Sequence, residues 1–250
     1  MTNKILTTNN VHKIYGEKTE KPYEALKGIT FDVNEGEFVG IMGASGSGKT
    51  TLLNILATLD QPTSGQVEIG GKDVTKLSAN KMADFRSKQL GFIFQDFNLI
   101  ETLTVKENIG LPLSLQGAKP KQISLAVEMS AKKLNIGDLL EKFPNQLSGG
   151  QKQRVAAARA LVSDPSIIFG DEPTGALDSN NARELMETLQ NINSQGVSIL
   201  MVTHDPFSAS FCQRILFIKD GKIGEELKAN GRDRQDFYRE VLDKLGTFEQ

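Results

Sequence analysis

A chain of 250 residues with net charge −2 is long enough for one large α/β domain and has no general basic surface to draw nucleic acid. Its single cysteine, Cys212, excludes an internal disulfide and a cysteine zinc site, and two histidines, His12 and His204, are too few for a histidine-rich metal site. No stretch approaches the roughly 20 apolar residues that span a bilayer, and the N-terminus lacks a signal-peptide core. A cytoplasmic protein is expected, with any membrane role coming through a partner.

Residues 5–14 and 25–33 carry alternating or β-rich apolar positions and read as strands of a small antiparallel sheet, joined by the charged loop 16–22. Tyr15, at the end of the first strand, is a candidate aromatic platform for a nucleotide base; Tyr23 competes with it, and a half-buried strand-end tyrosine is the plainer reading. The turn 34–37 delivers the chain into the apolar run 38–42. Gly43-Ala44-Ser45-Gly46-Ser47-Gly48-Lys49-Thr50 follows, of the form G-x-x-x-x-G-K-[ST], and then the apolar stretch 51–56. Strand, glycine-rich turn and helix in that order turn the pattern into a mechanism. The glycines let the backbone wrap a polyphosphate with its N–H groups pointing inward, and the helix start adds unsatisfied N–H groups and a positive dipole end. Lys49 would reach the β- and γ-phosphates, and the Thr50 hydroxyl would meet Mg²⁺. The chain is expected to bind a nucleoside triphosphate.

A short strand at 66–69 and a helix opening at 77–81, with Ser78 as N-cap, come next. Residues 91–94 form a buried strand that ends at Gln95, on the carboxyl edge where α/β sheets hold ligands. Gln95 would meet Mg²⁺ or an attacking water there, or be a solvated turn residue. Residues 101–115 and 121–142 read as helices punctuated by Pro112, Gly117, Pro120, Gly137 and Pro144, an inserted helical subdomain. Its apolar residues, among them Leu103 and Leu111, exceed what a helical surface needs, and the exposed ones would form a docking groove for a partner helix.

Leu147-Ser148-Gly149-Gly150-Gln151 precedes a helix at 152–162, forming either a second anion site or a plain helix start capped by Ser148. The buried strand 166–173 ends in Asp171 and Glu172, placed to work on Mg²⁺ and on the attacking water respectively. Asp178 follows, then a helix at 182–193 and an apolar strand at 198–203 that ends at His204, a candidate phosphate contact on the same edge. A last strand, 214–219, turns at 220–222, and an amphipathic helix spans 236–245 with Phe237, Val241 and Leu245 at i, i+4 and i+8. One domain is expected: a nucleotide-binding core from residues 1–95 and 160–220 that includes the antiparallel subdomain, a helical subdomain at 96–159, and a C-terminal extension at 221–250.

The order of P-loop, Gln95, Leu147-Ser148-Gly149-Gly150-Gln151, Asp171-Glu172, Asp178 and His204 resembles that of the ATPase subunits of ABC transporters over nearly the whole chain. The resemblance implies a P-loop NTPase core of mixed, mainly parallel sheet and helices with antiparallel β and inserted α subdomains, the ABC ATPase fold. It implies ATP held by Gly43, Ser45, Gly46, Ser47, Gly48, Lys49, Thr50 and Thr51, with Tyr15 rather than Tyr23 stacking on adenine. Mg²⁺ falls to Thr50, Asp171 and Gln95, and the reacting centre to Glu172, His204, Lys49 and Gln95. Ser148, Gly149, Gly150 and Gln151, with Asp178, are implied to complete the site of an opposite subunit, so that a head-to-tail homodimer buries two ATP molecules.

Residues 43–48, 58–60, 62–65 and 171–178 look like the group of macrolide exporters, lipoprotein releasers and antimicrobial-peptide resistance ATPases. Residues 95–104, 151–161 and the tail 237–246 are most similar to the bacitracin and lantibiotic resistance type. In that type two ATPase subunits at the inner face of the membrane drive one FtsX-like permease, which often signals to a sensor histidine kinase. Lipoprotein release, macrolide export, a cell-division-type regulatory lever and amino-acid import are the alternatives.

Overall fold

The computed structural model describes residues 3–17 and 21–248. Strands β1 (Lys4–Tyr15) and β2 (Tyr23–Asn34) pair antiparallel with Tyr15 opposite Tyr23, as their alternation predicts. Next come β3 (Phe38–Met42), α1 (Lys49–Leu56), β4 (Ser64–Ile69), the two-residue β5 (Lys72–Asp73), α2 (Ala79–Gln89) and β6 (Leu90–Ile93). The helical region holds α3 (Val105–Leu115), α4 (Pro120–Lys133) and α5 (Gly149–Leu161). The chain then returns through β7 (Ile167–Asp171), α6 (Ser179–Ser194), β8 (Ser198–Val202), the short α7 (Pro206–Ala209), β9 (Arg214–Lys219), β10 (Lys222–Lys228) and α8 (Arg234–Phe248).

Two sheets form: β2-β1-β4-β5, and a six-stranded β10-β9-β3-β8-β7-β6. In the larger one β9, β3, β8, β7 and β6 are parallel and only β10 runs against them. Apolar residues in the parallel strands alternate between two cores. Val39, Ile41, Leu200 and Val202 pack with Leu52 and Ile55 of α1 and with Leu6 and Leu26 of the antiparallel sheet. Phe38, Met42, Ile199 and Met201 face the opposite way, onto Val155, Leu185 and Phe237 of α5, α6 and α8. Burial on both faces is why these strands read as unbroken apolar runs. In α8, Phe237 and Val241 are buried and Leu245 packs on them partly exposed, so this face serves the core.

Several boundaries move from their sequence positions. The predicted helix at 101–115 begins only at Val105, because Thr104 and Glu107 form a capping box there. Residues 100–104 are held non-helical by the fully buried Asn108, whose amide accepts from Ile100 N and donates to the Ile100, Leu103 and Thr104 carbonyls. The predicted helix at 121–142 ends at Lys133, where Asn135 turns left-handed (φ +53). The chain beyond it folds back so that the Lys142 and Leu140 carbonyls accept from Val105 N and Lys106 N, donors that the start of α3 would otherwise leave unpaired. Ser78 occupies the N-cap of α2, but its side chain makes no capping bond. The strand expected at 66–69 begins at Ser64 and pairs with β1 in the antiparallel sheet. The expected subdomain boundary at 159/160 lies inside α5, which packs on β6 as well as on α3 and α4.

The two sheets are tied at their far end by Arg214. Its guanidinium grips Glu37 with Nε–Oε1 2.6 Å and Nη2–Oε2 2.9 Å and donates to the Asp32 carbonyl, with the Arg214 and Glu37 side chains only 9% and 13% exposed. A bidentate pair so placed is orienting, and removing one partner strands the other's charge. Arg214→Ala is expected to cost about 3 kcal/mol of stability, read as a lower urea midpoint.

Candidate nucleotide site

The P-loop leaves β3 and closes on the start of α1. Gly48, the N-cap, has φ +105, and a Cβ there would lie 2.8 Å from the Ala25 carbonyl oxygen, so only glycine serves. The β9–β10 turn braces the loop from behind, with Gly221 N donating to the Ser47 carbonyl and Lys27 N to the Gly221 carbonyl. In front lies an open cleft of about 730 Å³ lined by Gly43, Ser45, Gly46, Gly48, Lys49, Thr50 and Thr51 together with Tyr23, Ala25, Glu172 and His204. Lys49 is buried, and its ammonium donates to the Gly43 and Ala44 carbonyls at 2.7 and 2.8 Å. Ser47 Oγ is buried with no hydrogen-bond partner among the described residues. A glycine-rich turn and a helix N-terminus lining an open cleft beside a buried lysine fit an anion supplied from outside.

Parallel pairing brings the other groups to this edge. β7 and β8 match Asp171 with Val202, and Glu172 N donates to the Val202 carbonyl at 2.9 Å, while Thr203 N donates to the Ile41 carbonyl of β3. His204 Nδ1 then lies 2.9 Å from Glu172 Oε1, the imidazole largely in solvent and the carboxylate mostly covered. Glu172 has φ +44, a strained backbone for a non-glycine residue. Burial, followed by the Glu172 charge, raises the Asp171 carboxyl above its ordinary range, and Lys49 opposes them. Two neighbouring carboxylates of this kind call for a cation. Among the described residues no group of three or more His, Cys, Asp or Glu side chains could hold a metal. A hydroxyl from Thr50 and a carboxylate from Asp171 nonetheless suit Mg²⁺, which takes few protein ligands and completes its shell with phosphate oxygens and water.

Other expected residues stand apart from the cleft. Tyr15 is 41% exposed, with its hydroxyl 3.2 Å from Asp60 Oδ2 and Lys13 Nζ 4.9 Å from its ring centre, while Tyr23, across the same rung, lines the cleft. Gln95 is exposed just past β6, its amide against Gly175. Ser148 and Gly149 are exposed at the start of α5, where Ser148 Oγ accepts from Gln151 N and Gln151 Oε1 from Ser148 N. Gly150 is buried against α6, and a Cβ there would sit 1.9 Å from Asn181 Oδ1. Asp178 caps α6, accepting from Asn180 N, Asn181 N and Asn181 Nδ2.

Two residues tie these loops together and were not expected. Gln153, fully buried in α5, donates to the Pro173 carbonyl at 2.6 Å and the Phe94 carbonyl at 3.2 Å, joining the loops of Glu172 and Gln95. Arg159 donates to the Phe97 and Asn98 carbonyls, both residues having positive φ. Gln153 shares the i, i+3, i+4, i+7 stripe with Ala156, Ala157 and Ala160, and a polar residue on so apolar a stripe is the signal that marks it.

A P-loop cradle at the carboxyl edge of a parallel sheet, faced by a carboxylate pair, defines a P-loop nucleotide-binding α/β protein. Residues 26–175 match the family model described as ABC transporter. The chain is 51% identical over 244 residues to the bacitracin export ATP-binding protein BceA of Halalkalibacterium halodurans, covering 97% of this chain and 96% of that one. It is 44% identical to the macrolide export ATP-binding/permease protein MacB of Aggregatibacter actinomycetemcomitans, covering 88% of this chain and 34% of that larger protein. An ATP-binding cassette solved as a dimer in a post-hydrolysis state with ADP and Pi superposes with a TM-score of 0.82 at 41% identity, covering 90% of this chain and 99% of the other. The chain belongs to the ABC transporter family as an ATP-binding subunit, an ATPase with the ABC ATPase fold.

The two tyrosines separate by experiment. If Tyr15 is the platform, as the family resemblance implies, Tyr15→Ala weakens ATP binding on the order of 10-fold, as loss of a base–aromatic stack does, and Tyr23→Ala, although Tyr23 lines the cleft, leaves it nearly unchanged. Calorimetric titration with the reverse outcome would move the platform to Tyr23.

Proposed function

We propose that this subunit closes head to tail with a second copy around two ATP molecules and drives an FtsX-like permease in resistance to antimicrobial peptides of the bacitracin and lantibiotic type. The observation that carries the ATPase chemistry is the 2.9 Å contact between Glu172 and His204 at the mouth of the P-loop cleft. In this reading the P-loop N–H groups and Lys49 cradle the β- and γ-phosphates. Thr50 and Asp171, with Gln95, would hold Mg²⁺, which when bound neutralises charge on the phosphate oxygens. Glu172 orients a water and takes its proton, and His204 steadies the γ-phosphate and the Glu172 carboxylate. Ser148, Gly149, Gly150 and Gln151, at a helix start where Ser148 and Gly149 are exposed, supply phosphate contacts to the partner copy together with Asp178. Glu172→Gln is expected to lower turnover on the order of 10²–10⁴-fold while ATP still binds, measured by steady-state phosphate release beside nucleotide titration. Wild-type turnover in that variant would remove Glu172 from the role.

The peptide-resistance assignment rests on the relative named for bacitracin export and on the residues of the Gln95 loop and α5. No helix among the described residues is long and apolar enough to cross a membrane, and in this reading attachment at the cytoplasmic face comes through the permease. A groove of about 700 Å³ between α3 and α4, walled by Leu103, Gly110, Leu111 and Ile123, offers that partner an apolar seat close to Gln95 in the chain. A sensor histidine kinase reached through the same permease belongs to this reading. The macrolide-export relatives favour a second one, in which the permease is of their type. Affinity purification of the tagged protein from native membranes distinguishes the two. A co-purifying permease with ten spans and a large extracellular domain is expected, and a four-span partner without that domain would replace peptide resistance with lipoprotein release, macrolide export or a division role.

A further inference from the structure

The loops bearing Glu172 and His204 leave adjacent parallel strands, and the first turns through Glu172 at φ +44. At the cleft they meet through the Glu172 N–Val202 carbonyl bond and the Glu172–His204 pair, and the pair adds little to holding the two loops, since its imidazole lies largely in solvent. Behind it lies a buried polar chain. Thr174 Oγ1 and Ser208 Oγ are 2.8 Å apart, with Thr174 7% exposed and Ser208 fully buried. Ser208 Oγ donates to Asp205 Oδ2 at 2.6 Å, which commits its one proton and leaves Thr174 as the donor to Ser208. The Asp205 carboxylate also accepts from Phe207 N and Ser208 N, and Asp205 N donates to Thr203 Oγ1. The chain of hydrogen bonds therefore begins two residues after Glu172 and ends on the residue after His204. On the far side Gln153 holds the Pro173 carbonyl at 2.6 Å, so the Glu172 loop is clamped between α5 and α7.

We propose that Thr174 and Ser208 are positioning residues for ATP hydrolysis, and that their buried hydrogen bond makes the Glu172 and His204 loops move as one unit. Neither hydroxyl touches the nucleotide cleft, so their effect passes through Glu172, and the proposal rests on Glu172 being the general base. Loss of either hydroxyl frees the strained Glu172 backbone to drift while the P-loop, braced by β2 and the β9–β10 turn, keeps its grip on ATP.

The test is steady-state hydrolysis of Mg·ATP by the full chain, read as separate kcat and KM, with Thr174→Val, Ser208→Ala, their double variant, Thr174→Ser and Glu172→Gln. Thr174→Val and Ser208→Ala are each expected to lower kcat about 10-fold, the scale on which misplacing a catalytic group acts, with KM for ATP held near wild type. The double variant is expected to fall no further than either single one, as residues in one network behave, and Thr174→Ser to restore kcat. A purely structural role predicts losses that follow thermal stability, add in the double variant and are not rescued by serine, and that pattern would overturn the proposal. If Glu172→Gln abolishes turnover while Thr174→Val and Ser208→Ala match wild type, the positioning role alone fails. If Glu172→Gln hydrolyses normally, the general-base assignment fails and the positioning role with it.

Discussion

The constraint on which the molecule turns is electrostatic. Asp171 and Glu172 stand side by side at the end of a buried strand, and burial together with their mutual repulsion pushes the Asp171 carboxyl upward. Negative charge at that place is tolerable only if positive groups face it and a cation can join it. Lys49 and the N-terminus of α1 supply the first, and the donor set of Thr50 and Asp171 suits the second. The same positive groups would be poorly placed without a polyphosphate between them. Cradle, carboxylates and ligand are parts of one balance of charge.

That balance requires loops from different strands to meet accurately, and the structure secures each with buried polar side chains instead of with length. Gln153 joins the ends of β6 and β7, Arg159 holds the left-handed turn at Phe97 and Asn98, and Asn108 shapes the approach to α3. Gly150 lets α5 pack so closely on Asn181 that the exposed Ser148 turn is set by the cap of α6. Because α5 carries Ser148 at its exposed end and Gln153 at its buried turn, an event at one is mechanically near the loops of Gln95 and Glu172.

The parallel strands were legible in the chain because burial on both faces makes them continuous apolar runs, and β1 and β2 because one face alternates. The P-loop was legible because its function depends on backbone shape, which fixes residue types at a fixed spacing. Helix limits were harder. Residues 101–104 and 134–142 have helical composition, yet Asn108 and the unpaired N–H groups of α3 recruit them by contacts formed only in the folded chain. The platform tyrosine was ambiguous for a related reason: Tyr15 and Tyr23 are partners on one rung, and only three-dimensional packing puts Tyr23 on the cleft and turns the Tyr15 hydroxyl to Asp60.

By itself the sequence determined which strands are buried, which loop forms the glycine-rich turn between strand and helix and which carboxylates end a buried strand, since each follows from local periodicity or from chemistry carried within a few residues. Tertiary structure decided what no local pattern encodes: that β7 and β8 lie next to each other and bring His204 to 2.9 Å from Glu172, and that Gln153, Thr174 and Ser208 bond across 20 to 34 residues of chain. Strand order and long-range hydrogen bonds are chosen by the closing of the two cores around the sheet, an event to which the whole chain contributes at once.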